Sequence, residues 1–253
     1  MGLFSFFSKN KEQVRPNNID LNVIKTDVHA HLIPGIDDGS QSMEESIAMI
    51  KALKALGYEK LVCTPHVMHG HFQNSTEVIL DGVKALREAL AAEGIEIQLE
   101  AAAEYNFDQE LMERLDKNDI LSFGNEDYRY LLFELSYFNE PMGLNELIAK
   151  IKAKGFIPVM AHPERYPYYA SAREKYQELA NNGVLLQLNL NSLSGLYPGS
   201  AKPTAEWLLE QELVHFIGTD AHRIDHVEKL NEAFKKEVLH SFVEKGNLMN
   251  QYV

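Results

Sequence analysis

The sequence predicts an α/β chain in which strands and helices alternate around a closed or nearly closed β/α barrel, with an open doubly wound sheet as the alternative. Three observations carry this. Seven strand-like apolar runs recur along the 253 residues, most gaps between them hold a helical pattern, and several of those helices stop at a glycine. Such alternation implies a parallel sheet, and seven units in one compact domain favour closure. A dinucleotide-binding sheet is disfavoured, because no Gly-rich phosphate loop follows the first run.

The runs fall at 24–30, 59–64, 95–103, 128–136, 156–161, 184–190 and 213–219. After the first, Ser42 and Glu45 form a capping box, Ile47, Ile50, Leu53 and Leu56 follow at near-helical spacing, and Gly57 ends the segment. The later helical segments are Val78 to Glu93 before Gly94, Leu144 to Lys154 before Gly155, Arg173 to Asn182 before Gly183, and Ala205 to Glu212. A glycine after the periodic stretch suits a left-handed cap before the next strand. Residues 1–22 read as a flexible lead-in. Their apolar start, Met1 to Phe7, lacks the basic region and cleavage site of a signal peptide, and Phe6 stands where a myristoylation pattern needs Ser or Thr. Residues 23–253 are then one domain.

The formal net charge of −13 and a pI near 5.2 repel nucleic acid, and no basic cluster offsets them. One cysteine, Cys63, excludes an intramolecular disulfide and fits a cytoplasmic, reducing compartment. No run approaches the ~20 apolar residues of a membrane span. Homo-oligomerisation is left open.

In a β/α barrel the functional face lies at the carboxyl ends of the strands. The first run ends in His29-Ala30-His31, whose two imidazoles share a face by strand alternation, and Asp37-Asp38-Gly39 follows. The second delivers His66, the third Glu104, the fourth Glu134, the fifth His162, and the seventh Asp220 and His222. One histidine after a strand is usually an ordinary loop residue, and a carboxylate inside Leu131-Leu132-Phe133-Glu134-Leu135 needs a cation or a donor if it points inward. Six strand ends out of seven supplying ligand-type side chains point to a metal cluster. His69, His71, His215, His226 and His240 are read as ordinary residues.

The series His-x-His, Thr64-Pro65-His66, His162-Pro163-Glu164-Arg165-Tyr166 and Gly218-Thr219-Asp220-Ala221-His222 resembles the polymerase and histidinol phosphatase (PHP) superfamily. With Pro34-Gly35-Ile36-Asp37-Asp38-Gly39 it is similar, more narrowly, to the bacterial metal-dependent protein-tyrosine phosphatases of the capsule and exopolysaccharide type. The resemblance implies a distorted seven-stranded β/α (TIM-like) barrel of PHP fold with three divalent transition metals, Mn or else Fe or Zn. By the same resemblance, His29, His31, Glu104 and Asp220 hold one metal. Glu104 bridges to a second with Glu134 and His162, and Asp38, His66 and His222 hold the third. The implied partner is a phosphotyrosine protein, the Tyr-rich tail of a bacterial tyrosine kinase in polysaccharide export. The usual Arg-Pro-Pro segment after the last histidine is missing here.

Adjacent metals at neutral pH generate a hydroxide for in-line attack on phosphorus, so no protein nucleophile is required. Arg165 and Arg223 are candidates to grip phosphate oxygens, each with an ordinary surface ion pair as the alternative. A Cys-dependent phosphatase needs Arg six positions after its cysteine; His69 stands there after Cys63, which reads instead as a buried strand residue. Amidohydrolases also begin with His-x-His but bridge their metals with a fourth-strand lysine, where this chain has Glu134. Histidinol-phosphate or another small phosphomonoester is the alternative substrate, C–N hydrolysis and a non-enzymatic metal-binding module the alternative functions. Tyr105, Phe107, Tyr137, Phe138, Tyr166 and Tyr168 are candidates to pack on a substrate ring or, equally, to pack the loops.

Overall fold

In the first predicted helix Ser42 sits at the N-cap, its hydroxyl accepting from the Glu45 amide at 3.2 Å, while the Glu45 carboxylate turns back to the Gln41 amide at 2.9 Å. The helix start is thus closed on both sides, and the acidic first turn complements the helix dipole. The computed structural model describes residues 24–253; the expected lead-in, residues 1–22, lies outside the described residues.

The strands are β1 (Thr26–Ala30), β2 (Lys60–Cys63), β3 (His66–Val67), β4 (Gln98–Ala101), β5 (Glu104–Asn106), β6 (Phe123–Gly124), β7 (Arg129–Glu134), β8 (Ile157–Ala161), β9 (Leu185–Asn189) and β10 (Phe216–Gly218). The helices are α1 (Met43–Ala55), α2 (Thr76–Ala92), α3 (Gln109–Lys117), α4 (Leu144–Ala153), α5 (Pro167–Ala170), α6 (Glu174–Asn181), α7 (Leu190–Ser194), α8 (Ala201–Glu210), α9 (Ile224–Ala233) and α10 (Glu237–Glu244). The expected glycine stops hold: Gly155 and Gly183 both take φ near 80°, which a residue with a Cβ adopts only under strain.

Two parallel sheets result, ordered β1-β2-β4 and β10-β9-β8-β7-β5-β3, and β6 pairs antiparallel with β7. The fold is therefore mixed α/β with parallel sheets. The second run forms β2, and a further short strand, β3, is divided from it by Thr64-Pro65, where proline has no N–H to donate. Backbone bonds Ala102 N–H to Cys63 O at 2.9 Å and Glu104 N–H to Pro65 O at 3.1 Å carry pairing across the division. The end of β1 pairs with the segment after β10 through His31 N–H to Ala221 O at 3.0 Å and Asp220 N–H to His29 O at 2.8 Å.

Two runs are shorter than their apolar residues suggested, for one reason. Ile95 and Leu213 donate their amides back to Leu90 and Leu208, closing the preceding helices, so they are capping contacts and not strand pairs. Helices α3, α7, α9 and α10 add to the expected segments, and α9 and α10 bury apolar residues at helical spacing, Val227 with Leu230 and Leu239 with Phe242 and Val243. In α3 only Leu111 and Leu115 are buried apolar residues, and Asp108 caps it.

One apolar cluster joins helices to strands, while a second gathers Val28, Val62, Ala102, Phe123, Tyr130, Leu132, Val159, Ala161 and Phe216. The second cluster is the strands' other face, and it positions the site. Stepping two residues along each strand leads from it to polar side chains: Val62 to Thr64 to His66, Ala102 to Glu104, Leu132 to Glu134, and Phe216 to Gly218 to Asp220. Two strands break the period. Pairing of β1 with β2 shifts register between Asp27 and Ala30, and His162, one residue after Ala161, takes φ 33°. Both irregularities re-aim histidines.

Candidate metal centre

His29, His31 and Glu104 are fully buried, and His162, Asp220 and Glu134 nearly so, beneath the more accessible His66, His222 and Asp38. Atoms able to ligate a metal lie within 4.8 Å of one another in four overlapping groups: His31 with Asp38, His66 and His222; His29 with His31 and Asp220; His29 with Glu104 and His162; His66 with Glu104 and Glu134. The groups share members, so all nine residues form one continuous set.

Each ring's free nitrogen is chosen by its neighbours. Nδ1 of His29 meets Gln187 Oε1 at 2.8 Å and Nδ1 of His31 meets Asp37 Oδ2 at 2.8 Å, which turns both Nε2 atoms inward, 3.2 Å apart. His222 holds the Asp220 carbonyl through Nδ1 at 3.0 Å and points Nε2 to Asp38 at 3.4 Å. A second bond of this kind fixes ring orientation and raises ligand basicity. His162 Nε2 is 2.8 Å from Glu104 and 3.9 Å from Glu134, while Glu134 Oε1 lies 3.3 Å from His66 Nδ1.

The donor set fits divalent ions. Five neutral imidazoles with four carboxylates leave several uncompensated negative charges in a buried volume, and His66 Nδ1, Glu104 Oε2 and Glu134 Oε1 are buried with no hydrogen-bond partner. Imidazole with carboxylate oxygen, and no thiolate, suits Mn, Fe or Zn. Without ions the same groups lean on each other electrostatically. Burial alone would raise the Glu104 carboxyl, yet His29 and His66 hold it well below the usual range; His222 and His29 do the same for Asp220. His29 is raised despite burial by Glu104 and Asp220, and His31 by Asp37. His162 goes the other way, lowered first by burial and then by the Arg165 guanidinium, which favours the neutral ring. Two candidate ligands, His162 and Asp220 at φ 33° and 50°, hold left-handed backbone that costs energy in a non-glycine residue.

A cleft of about 410 Å³ opens over the cluster, with Arg165 in its wall and Met68, Phe72, Tyr137 and Phe138 along it. Arg165 reaches Asp220 Oδ2 at 2.7 Å and lies between the rings of Tyr137 and Tyr197. Arg223 lies elsewhere: it is exposed and pairs with Asp225 at 2.7 Å. Of the aromatic candidates, Tyr137 and Phe138 face the cleft, whereas Tyr105 and Tyr166 are buried and bond the Leu121 and Leu135 amides through their hydroxyls. Cys63 is fully buried with its thiol pushed up to about 12 by that burial, so no thiolate forms near neutral pH.

Sequence reasoning did not single out Asp37, Gln187, Asn189 or Tyr197 as site residues. Gln187 and Asn189 had a visible signal, two amides in the alternating Leu185-Leu186-Gln187-Leu188-Asn189 of the one strand that ends without a metal-type ligand. Tyr197 had none.

A family model described as capsular polysaccharide synthesis, CpsB/CapC, matches residues 25–244. The tyrosine-protein phosphatase YwqE of Bacillus subtilis is 28% identical over 231 residues, covering 88% of this chain and 90% of that protein. The tyrosine-protein phosphatase CpsB of Streptococcus pneumoniae is 29% identical over 204 residues, covering 79% and 83%. A solved structure from work on YwqE and CpsB, described there as unique metal-dependent tyrosine phosphatases, has a TM-score of 0.77 at 27% identity and covers 90% of this chain and 94% of that one. A histidinol phosphate phosphatase from Lactococcus lactis, TM-score 0.56 and 15% identical over 89% and 94% of the two chains, shares the fold.

Proposed function

Because the chain belongs to the CpsB/CapC family of capsular polysaccharide synthesis, we propose that it is a metal-dependent protein-tyrosine phosphatase that uses the nine-residue centre. The observation that carries this is the single continuous ligand set at the floor of a cleft walled by an arginine. We read His29, His31, Asp38, His66, Glu104, Glu134, His162, Asp220 and His222 as ligands of three divalent ions, Mn foremost. Bound ions of this kind lower the pKa of water and hold phosphoryl oxygens.

The chain's own groups do the rest. Gln187 and Asp37 keep two imidazoles in the ligating orientation. Arg165 offers guanidinium N–H groups to the phosphoryl oxygens, and Tyr137, Phe138 and Phe72 give the cleft an aromatic wall against which a phenyl ring packs. Phenol ionises at about pH 10, so a tyrosine oxygen leaves with little need of a general acid. Arg223 reaches phosphate only if its pair with Asp225 opens.

The barrel reading belongs with this proposal. The backbone bonds that join β1 to the segment after β10, and those that join the β2–β3 junction to the β4–β5 junction, support the reading of residues 23–253 as a single domain, one distorted seven-stranded PHP barrel. We place the protein in the cytoplasm on the strength of its lone reduced cysteine, acting on a phosphotyrosine protein such as the tail of a bacterial tyrosine kinase. No helix among the described residues is long and apolar enough to cross a membrane.

Purified protein is expected to carry two to three transition metals per chain, to hydrolyse p-nitrophenyl phosphate, and to prefer a phosphotyrosine peptide to histidinol phosphate. Elemental analysis finding less than one metal, with no activity recovered on adding Mn, removes the proposal; better catalytic efficiency on histidinol phosphate redirects its substrate.

A further inference from the structure

The two oxygens of Asp220 face different neighbourhoods. Oδ1 lies 3.4 to 3.5 Å from nitrogens of His29, His31 and His222. Oδ2 faces away from them and collects Arg165 Nη1 at 2.7 Å, Asn189 Nδ2 at 2.7 Å and the Tyr197 hydroxyl at 3.4 Å.

The direction of each bond is fixed by donor counting. Asn189 accepts the Asn191 amide on Oδ1 at 3.0 Å, which identifies Nδ2 as the nitrogen facing Asp220. Nδ2 has two hydrogens; one goes to Asp220, the other to the Tyr197 oxygen at 3.0 Å. With an N–H arriving on its oxygen, Tyr197 turns its own hydrogen to Asp220 Oδ2. The buried Glu164 holds this turn, accepting the Asn189 amide at 3.1 Å and the Ser192 hydroxyl at 2.6 Å.

Tyr197 also supplies a surface for Arg165. The guanidinium carbon lies 4.1 Å from the Tyr197 ring centroid and 4.9 Å from that of Tyr137. Its Nη1 is committed to Asp220, and among the described residues its other N–H groups have no protein acceptor, while the side chain lines the cleft. The guanidinium is therefore held by one edge and by contact with two aromatic rings. Its remaining edge is available to an anion.

Building on the phosphatase reading, we infer that Tyr197, supported by Asn189, is a positioning residue that fixes Arg165 for phosphoryl binding and leaves Asp220 only one oxygen for a metal. Tyr197 does not touch the phosphoryl group. Its contribution passes through Arg165, and this separates it from a ligand or a merely structural loop residue.

The test is a double-mutant cycle of Tyr197→Leu and Arg165→Ala in Mn-loaded full-length protein, read as the dissociation constant of inorganic phosphate by calorimetry, with metal content and thermal melting recorded for each variant. Tyr197→Leu alone is expected to weaken phosphate about tenfold, the scale of a partly desolvated cation–π contact, with metal content unchanged. In the Arg165→Ala background the same substitution should change nothing further. Tyr197→Phe keeps the ring but loses the hydroxyl bonds to Asn189 and Asp220, and should weaken phosphate about threefold, again only when Arg165 is present; it carries the cycle if the leucine variant does not fold. Additive losses, an unchanged phosphate constant, or loss of metal in the Tyr197 variants overturn the inference. Wild-type protein that holds metal yet neither binds phosphate nor hydrolyses an aryl phosphate overturns the phosphatase reading itself, a result distinct from normal wild-type binding with an indifferent Tyr197.

Discussion

The two ends of the strand interior are built from the same strands and are opposite in character. At one end Phe123, Tyr130 and Phe216 pack with ring centroids 5.0 to 5.4 Å apart in stacked and edge-on pairs, all nearly or fully buried. At the other, nine ionisable side chains converge with three of their polar atoms lacking any hydrogen-bond partner. The apolar end gains free energy by burial; the polar end holds desolvated carboxylates that need a positive partner, which the histidines and Arg165 supply in part. Stability and chemistry are thus separated along one axis, a few residues apart on each strand. The small residue between the ends is Gly218, where an added Cβ would stand 2.7 Å from both Gln187 Nε2 and His29 Cβ.

That division can be broken from either side. Phe216→Ala empties the aromatic end and is expected to lower unfolding free energy by about 3–5 kcal/mol in denaturant titrations, while folded protein keeps its full metal complement. Loss of metal in that variant would show the ends to be coupled. Asp37→Asn acts at the other end: the His31 contact weakens, and Asp37 also accepts the Gly39 and His66 amides, so two backbone turns loosen with it. Metal affinity measured by competition with a chelator should fall about 10- to 100-fold with a much smaller change in the melting of metal-free protein. Equal losses in both would make Asp37 a structural residue alone.

The smallest expected effect concerns His215, the residue before Phe216 of the apolar end. His215 accepts the Leu186 amide on Nδ1 at 3.2 Å, and burial lowers its pKa below the usual 6.5. The folded chain prefers the neutral ring. Its contribution is complete above about pH 6.5 and is lost as pH falls from there through the folded value. In unfolding measurements on chelated protein, the wild type's advantage over His215→Gln at about pH 7.5 should shrink by about pH 5.5. An advantage that grows on acidification would reverse the assignment.

Much of the architecture was legible because its causes are local. Ser42 caps α1, Gly155 and Gly183 end α4 and α6, and apolar runs mark seven strand positions, all from side-chain type and spacing. The five-residue helix α7 was not legible: it is held by long-range contacts, as when Asn191 in α7 donates to the His226 carbonyl in α9 at 3.0 Å.

For the site, sequence by itself named the nine side chains that the fold brings together, because imidazoles and carboxylates at successive strand ends have few other reasons to recur. It could not divide them among neighbours. The register shift in β1 and the left-handed backbone at His162 change where rings point without changing any residue. It also could not tell the two arginines apart. Arg165 and Arg223 each follow a strand-end histidine, yet one is held between two tyrosines on Asp220 and the other lies on the surface beside Asp225. Tyr197 lies more than thirty residues from Arg165 in the chain, so only the fold's return through β9 and α7 sets them face to face. Composition and period are properties of a segment; orientation and pairing are properties of the packed whole, where directional bonds between distant residues decide which way each group faces.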